Sequence, residues 1–242
     1  MENIISVLSG LGNVVALNSP ECMYFCKIEN TDGSICWGFL SPSDERLETA
    51  LVKVEVSIEK HQELLMNGDI VYYDGEVFNA QPNEYYLDEN KDFVKRSTSE
   101  YNQIIADETR AELVNMLYTL KAQKAYGGVI INDSFVFETN QTAVTNTVAT
   151  LALMNDADTS SWKFYTKDGV PVMQTVSKAQ LFAIASFGRH MIDSSFAVEG
   201  QYLATLENAT VENLVSKTWV DDFVNSAQAD FDGINNELVV SF

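Results

Sequence analysis

The stretch Val52–Phe78 reads VKVEVSIEKHQELLMNGDIVYYDGEVF and holds three structural elements in 27 residues. Val52, Val54 and Val56 alternate with Lys53 and Glu55, the period of a half-buried strand. Ser57 is placed to cap a short helix carrying Ile58, Leu64 and Leu65, with Glu59 near the positive end of its dipole. Asn67-Gly68 is a helix stop. Ile70-Val71-Tyr72-Tyr73 and Glu76-Val77-Phe78 then flank Asp74-Gly75, a two-residue turn whose residues tolerate positive φ. Strand, capped helix and tight hairpin therefore follow one another with no room for a long loop.

The same grammar extends toward the N-terminus. Met23–Ile28 and Ile35–Leu40 are β-prone runs around Asn30-Thr31-Asp32-Gly33, a hairpin signal. On the C-terminal side, Tyr85–Leu87 and Phe93-Val94 flank Asp88-Glu89-Asn90-Lys91. Residues 1–95 thus read as a β-hairpin-rich N-terminal domain. The polar run from Lys95 to Tyr101, KRSTSEY, marks a change, and residues 96–106 read as a linker open to proteases.

Residues 107–242 read as an α+β C-terminal domain of helices and hairpins. Asp107 is placed to cap a helix to Tyr126, with Leu113, Leu117, Leu120 and Lys124 on one stripe and Gly127-Gly128 as its end. A hairpin pairs Val129–Ile131 with Phe135–Phe137. Asn140 is placed to cap a helix with Val144, Val148 and Leu151 on its inner face. Trp162–Thr166 and Val170–Thr175 pair across Asp168-Gly169. Ser177 and Gln180 form a capping box that opens a long helix. Its apolar stripe reads Leu181, Ile184, Gly188, Met191, Ile192, Phe196, Tyr202, Leu206. Thr210 caps a last helical region with Leu214, Val215, Phe223 and Val224, and residues 238–242 are expected to form a final strand. The fold class expected for the chain is α+β.

Composition bounds the function. The chain has 242 residues, 46% hydrophobic and 21% charged, ordinary for a globular protein. Its net charge is −20. So acidic a surface repels phosphates and anionic lipid, which argues against nucleic acid and membrane as partners. The opening MENIISVLSGLGNVVAL has Glu2 and no basic residue, so it does not read as a signal peptide. Cys22, Cys26 and Cys36 cannot all pair within one chain, so they are expected as reduced thiols made in a cytoplasm.

Candidate chemistry is sparse. Cys22, Cys26, Cys36 and His61 lack the close pairing of a zinc site. Asp88-x-Asn90-x-Asp92 starts like a calcium loop but has Phe93 where glycine is required. Asp156-x-Asp158 and Asp230-x-Asp232 fail similarly, and Asx turns explain all three. His61 and His190, the only histidines, lie in no nucleophile motif. No phosphate-binding glycine loop is present. No metal and no cofactor are therefore expected. Among 35 acidic residues no spacing singles out the carboxylate pair a glycosidase needs. What remains is aromatic. Tyr72, Tyr73, Tyr85 and Tyr86 form two adjacent pairs on expected strands, each with one ring inward and one outward. The outward rings are candidate partner-binding residues.

Two segments carry a resemblance. The order of Val52–Phe78, with its Ser-capped helix containing His61-Gln62 and its Asp-Gly turn, resembles segments of tail-fibre assembly and tail-associated proteins of tailed bacteriophages. Residues 107–223 resemble an uncharacterised C-terminal domain that recurs in phage tail proteins. The resemblance rests there on Phe137-Glu138-Thr139-Asn140, Trp162-Lys163, Asp168-Gly169 and Arg189-His190. It implies a non-enzymatic component or adaptor of the tail fibre or baseplate. Such a protein is made in the host cytoplasm, carried in the virion tail and partnered by other tail or fibre proteins. A homo-oligomer is compatible with it. A tail-fibre assembly chaperone and a tail-associated polysaccharide hydrolase are the alternatives.

Overall fold

The structure is a computed structural model and describes residues 21–240. The opening segment and the last two positions of the expected final strand lie outside that range. The chain is α+β, as its sequence pattern requires. It forms two compact units that divide between Tyr101 and Asn102.

The first unit begins with an antiparallel sheet in the order β2-β1-β3. Its strands are β1 (Cys22–Glu29), β2 (Ile35–Leu40) and β3 (Val52–Ser57). Alternation along β1 sends Phe25 and Lys27 to one face and Cys26 and Ile28 to the other, and both faces are covered. On the Phe25 face lie Val56 and Leu64, the latter from α1 (Ile58–Met66). The Ser57 hydroxyl accepts from Lys60 N–H, so the expected cap forms. Leu64 is fully buried and contributes about 1.5–3 kcal/mol through transfer from water. Leu65 points outward and is exposed. The hairpin β4 (Asp69–Tyr73) to β5 (Glu76–Ala80) turns on Asp74 and Gly75, at φ 52° and 87°. Both angles are positive, as a type I′ turn requires. A third hairpin joins β6 (Tyr85–Leu87) to β7 (Phe93–Lys95). Its turn is tied to the first sheet: Trp37 Nε1 donates to Lys91 O at 2.6 Å, and Lys27 Nζ meets Asp92 Oδ1 at 2.5 Å.

The segment 96–106, expected as a linker, contains the division between the two units but is helical from Thr98 onward. Helix α2 runs from Thr98 to Tyr126. Ser97 Oγ accepts from Glu100 N–H at 3.2 Å, and Glu100 Oε2 accepts from Ser97 N–H at 2.9 Å. That reciprocal pair is a capping box, so the polar run is a helix start rather than loose chain. Asp107 is not the cap. It lies mid-helix and accepts from Gln103 Nε2.

In the second unit, α2 is followed by β8 (Val129–Ile131), β9 (Phe135–Phe137) and α3 (Gln141–Leu153). Then come β10 (Thr159–Thr166), β11 (Pro171–Ser177) and α4 (Lys178–Glu207). The expected last helical region splits at Ser216 into α5 (Val211–Val215) and α6 (Lys217–Asp232), and β12 (Glu237–Leu238) closes the series. The sheet order is β11-β10-β9-β8-β12, with β12 parallel to β8. Asn132, in the β8–β9 turn, exchanges two side-chain hydrogen bonds with the backbone of Val240 and so holds the chain beyond β12.

Helix α4 has 30 residues, about 45 Å, long enough to serve two cores. Its first half covers the sheet, where Leu181, Ile184 and Met191 meet Val129, Phe164 and Val176. Its second half packs Tyr202 and Leu206 against Leu113 and Leu117 of α2 and Phe223 and Phe231 of α6. Arg110 of α2 donates to the carbonyls of Leu206 and Ala209, capping the negative end of α4. Two expected stripes are corrected. On α4, Phe196 is exposed, while Ser195 and Glu199 are buried. Ser195 is satisfied by Met191 O, and Glu199 stands 2.8 Å from Lys121 of α2. On α3, Val148 is exposed and Thr147 is buried in its place.

Candidate functional site

Two hairpins of the first unit frame a cleft of about 280 Å³. One wall is the β4–β5 hairpin, contributing Asp69, Ile70, Val71, Ala80 and Gln81. The other is β6 with Phe93 of β7. Strand β4 pairs with β5, and β6 pairs with β7, but β4 and β6 are not paired to each other. The cleft therefore lies between separate two-stranded sheets, and Asp69 and Gln81 line it beside apolar and aromatic side chains.

Strand alternation distributes the four tyrosines. Tyr72 faces the core, its ring 5.4 Å from Trp37. Tyr73 faces out and is 41% exposed. Tyr85 is half-buried, with its ring 5.3 Å from Tyr73 and 5.8 Å from Phe78, both edge-on. Tyr86 is exposed, and the Arg96 guanidinium lies 4.7 Å over its ring. So Tyr73 and Tyr85 touch, Tyr85 and Tyr86 line the cleft together, and Tyr72 belongs to the core.

Cations edge the cluster. Lys95 Nζ sits 5.7 Å over Tyr85 and 3.2 Å from Glu84. The bond to Glu84, and then the Tyr85 hydroxyl, hold the Lys95 ammonium above its ordinary pKa. Arg96 Nε donates to Asn83 O at 3.0 Å, which fixes its plane over Tyr86. The arrangement offers rigid rings, a cleft of mixed polar and apolar lining and oriented cations, the ingredients of a protein-contact surface. Leu87, 43% exposed, and Phe93 belong to the same surface and escaped the sequence reading. Their signal was their place in the hairpin that carries Tyr85-Tyr86.

The remaining candidates have structural roles. Cys26 is buried, its Sγ 3.6 Å from Tyr24 O, and burial pushes its thiol pKa up. Cys36 is exposed. The His61 ring packs against Phe39 at 4.3 Å. Among the described residues no three His, Cys, Asp or Glu gather as a metal site would require. Asp88 Oδ1 accepts from Asp92 N–H, and Asp158 Oδ2 accepts from Asn155 N–H, so both acidic runs close turns. His190, Ser194 and Asp230 line a groove between α4 and α6. There Asp230 is engaged by the Tyr202 hydroxyl at 2.8 Å rather than by the histidine. No helix among the described residues is long and apolar enough to cross a membrane.

Set against family models, curated proteins and solved structures, the chain matches none.

Proposed function

We propose that this chain is a non-enzymatic tail protein of a tailed bacteriophage. It acts as a structural component or adaptor at the fibre or baseplate and works through protein–protein contacts. The observation that carries the reading is the cleft walled by Tyr85, Tyr86 and Leu87, with Tyr73 against its edge. Large aromatic groups on rigid hairpins cost little ordering entropy on binding and dominate interface energetics. The resemblance of Val52–Phe78 and of residues 107–223 to tail proteins supplies the setting.

The test is co-expression with the tail-fibre protein encoded beside it, followed by size exclusion. A stable complex is expected. Replacing Tyr73, Tyr86 and Leu87 together by Ala is expected to weaken it by about 2–4 kcal/mol, the scale of a small hot-spot cluster. Separate elution of the two wild-type proteins at micromolar concentration refutes the reading. Mass spectrometry of purified virions then distinguishes the two roles. Stoichiometric peptides fit the component, and their absence fits an assembly chaperone that departs.

A further inference from the structure

Strand β10 is paired unequally on its two sides. It pairs with β11 from Thr159 to Tyr165, but with β9 only at Tyr165 and Thr166. Strand β9 ends at Phe137, and the chain passes through Glu138 to the cap Asn140 and into α3. A cavity of about 360 Å³ lies at this step in the sheet, between Trp162 and Lys163 of β10 and the first turns of α3.

The walls of the cavity differ in chemistry. Trp162 and Phe137 form an aromatic wall, their ring centroids 5.9 Å apart. Gln141, Thr142 and Asn146 of α3, all exposed, bring two amides and a hydroxyl, groups that both donate and accept. Thr142 and Asn146 stand four apart and so share one face of the helix. Glu138 is held beside them, because Asn140 Nδ2 donates to its Oε2 at 3.2 Å. Among the described residues Glu138 and Lys163 are the only charged groups lining the cavity, and their charges cancel. One polar atom is left unsatisfied. Trp162 Nε1 is buried and has no acceptor among the described residues. A buried N–H in that state costs free energy until an acceptor reaches it.

We propose that this cavity binds a neutral saccharide without cleaving it. Zero net charge in the lining, within a chain at −20, offers nothing to a phosphate or a cation. A purely apolar group would bury the amides and the carboxylate without partners. A sugar ring meets both walls. Its C–H face lies on the aromatic side, and its hydroxyls donate to Glu138 and exchange hydrogen bonds with Gln141 and Asn146. A hydroxyl oxygen is also an acceptor for Trp162 Nε1. The volume is at the lower end of small-ligand pockets, about 300–1,000 Å³. Glu138 is the one carboxylate lining the cavity among the described residues, whereas glycoside hydrolysis takes a pair. The site belongs wholly to the second unit and does not depend on the tyrosine cleft of the first.

The test is isothermal titration of the full chain with neutral oligosaccharides of glucose, galactose, mannose and N-acetylglucosamine. At least one is expected to bind with a Kd of about 1 mM or below. Asn146→Ala and Gln141→Ala should each raise that Kd about fivefold, the loss of one hydrogen bond. Both sites are exposed, so far-UV circular dichroism should be unchanged. Glu138→Gln should raise it about tenfold, since bonds to a charged acceptor are the stronger ones. Trp162→Phe, which keeps a ring and removes the N–H, should weaken binding as well. Tyr86→Ala, in the first unit, should leave it unchanged. Failure of every oligosaccharide to bind at about 10 mM overturns the proposal. So does binding that Asn146→Ala and Glu138→Gln both retain, or that Tyr86→Ala abolishes. Tighter binding of a sulfated oligosaccharide than of its neutral parent overturns it too.

Discussion

Lys121 and Glu199 give the sharpest test of the energetics of the second unit. Their charged atoms stand 2.8 Å apart, with side-chain exposures of 18% and 7%. Glu199 Oε1 is buried and the approach lies outside hydrogen-bond angles, so the attraction is coulombic. The ammonium also sits 5.0 Å from the ring of Tyr118 and 4.8 Å from that of Phe196. Lys121→Met keeps the alkyl stem but leaves Glu199 as an uncompensated buried charge, which is expected to cost about 3–5 kcal/mol. Glu199→Leu should cost less, about 1–3 kcal/mol. The lysine it strands is nearer water and can reach it. The double variant, with two apolar side chains of similar volume, is expected within about 1 kcal/mol of the wild type. The coupling across the cycle is then several kcal/mol, a large part of a domain stability of about 5–15 kcal/mol. Urea unfolding followed by the far-UV helix signal measures it, because α2 to α6 carry most of the helix. At about 2 kcal/mol per molar urea, Lys121→Met should lower the midpoint by about 2 M. Additive single effects, or a double variant worse than either single, refute the argument that burial sets the cost.

Three further outcomes follow from local geometry. Gly128 has φ +93°, and an added Cβ would stand 2.6 Å from Val136 Cγ1 and 2.9 Å from Phe137 O. Gly128→Ala should therefore destabilise by about 3 kcal/mol in the same urea assay, with strain and clash acting together. Gly200→Ala, mid-helix in α4 with nothing within 4 Å, should instead stabilise by about 0.5–1 kcal/mol. Tyr202 is buried and donates to Asp230, and burial first, then that bond, push its pKa from 10.0 up to about 12. The fold favours the neutral phenol, so this contribution is whole below pH 10 and is lost as pH rises through 12. Tyr202→Phe should flatten that part of the stability–pH curve, and an unchanged slope would show that the hydroxyl titrates freely.

Much of the local structure could be read without coordinates. Ser57, Asn140, Ser177 and Thr210 cap helices where their side chains and following residues place them. Asp74-Gly75 turns a hairpin because both residues adopt positive φ. One local signal is ambiguous. Ser97-x-x-Glu100 is a capping box, but its polar neighbours suggested loose chain. The misplaced stripes have a different origin. On α4, the regular burial of Gly188, Met191, Ser195, Glu199, Tyr202 and Leu206 runs through two polar residues. Local pattern favours the apolar Phe196, but Lys121, 78 positions before Glu199, supplies the countercharge that lets Glu199 be buried instead. On α3, apolar residues surround the helix, so hydrophobic period could not choose a face.

The α+β class, the hairpins, most helix starts and the acidity that disfavours phosphate-rich partners are all legible in the linear chain. Each rests on contacts within a few residues or on composition. Tertiary structure alone decided which tyrosines meet at the cleft, that Glu199 is buried against Lys121, and that α3 turns Val148 and Leu153 outward. Those outcomes depend on residues far apart in the chain, whose packing and countercharges no local pattern encodes.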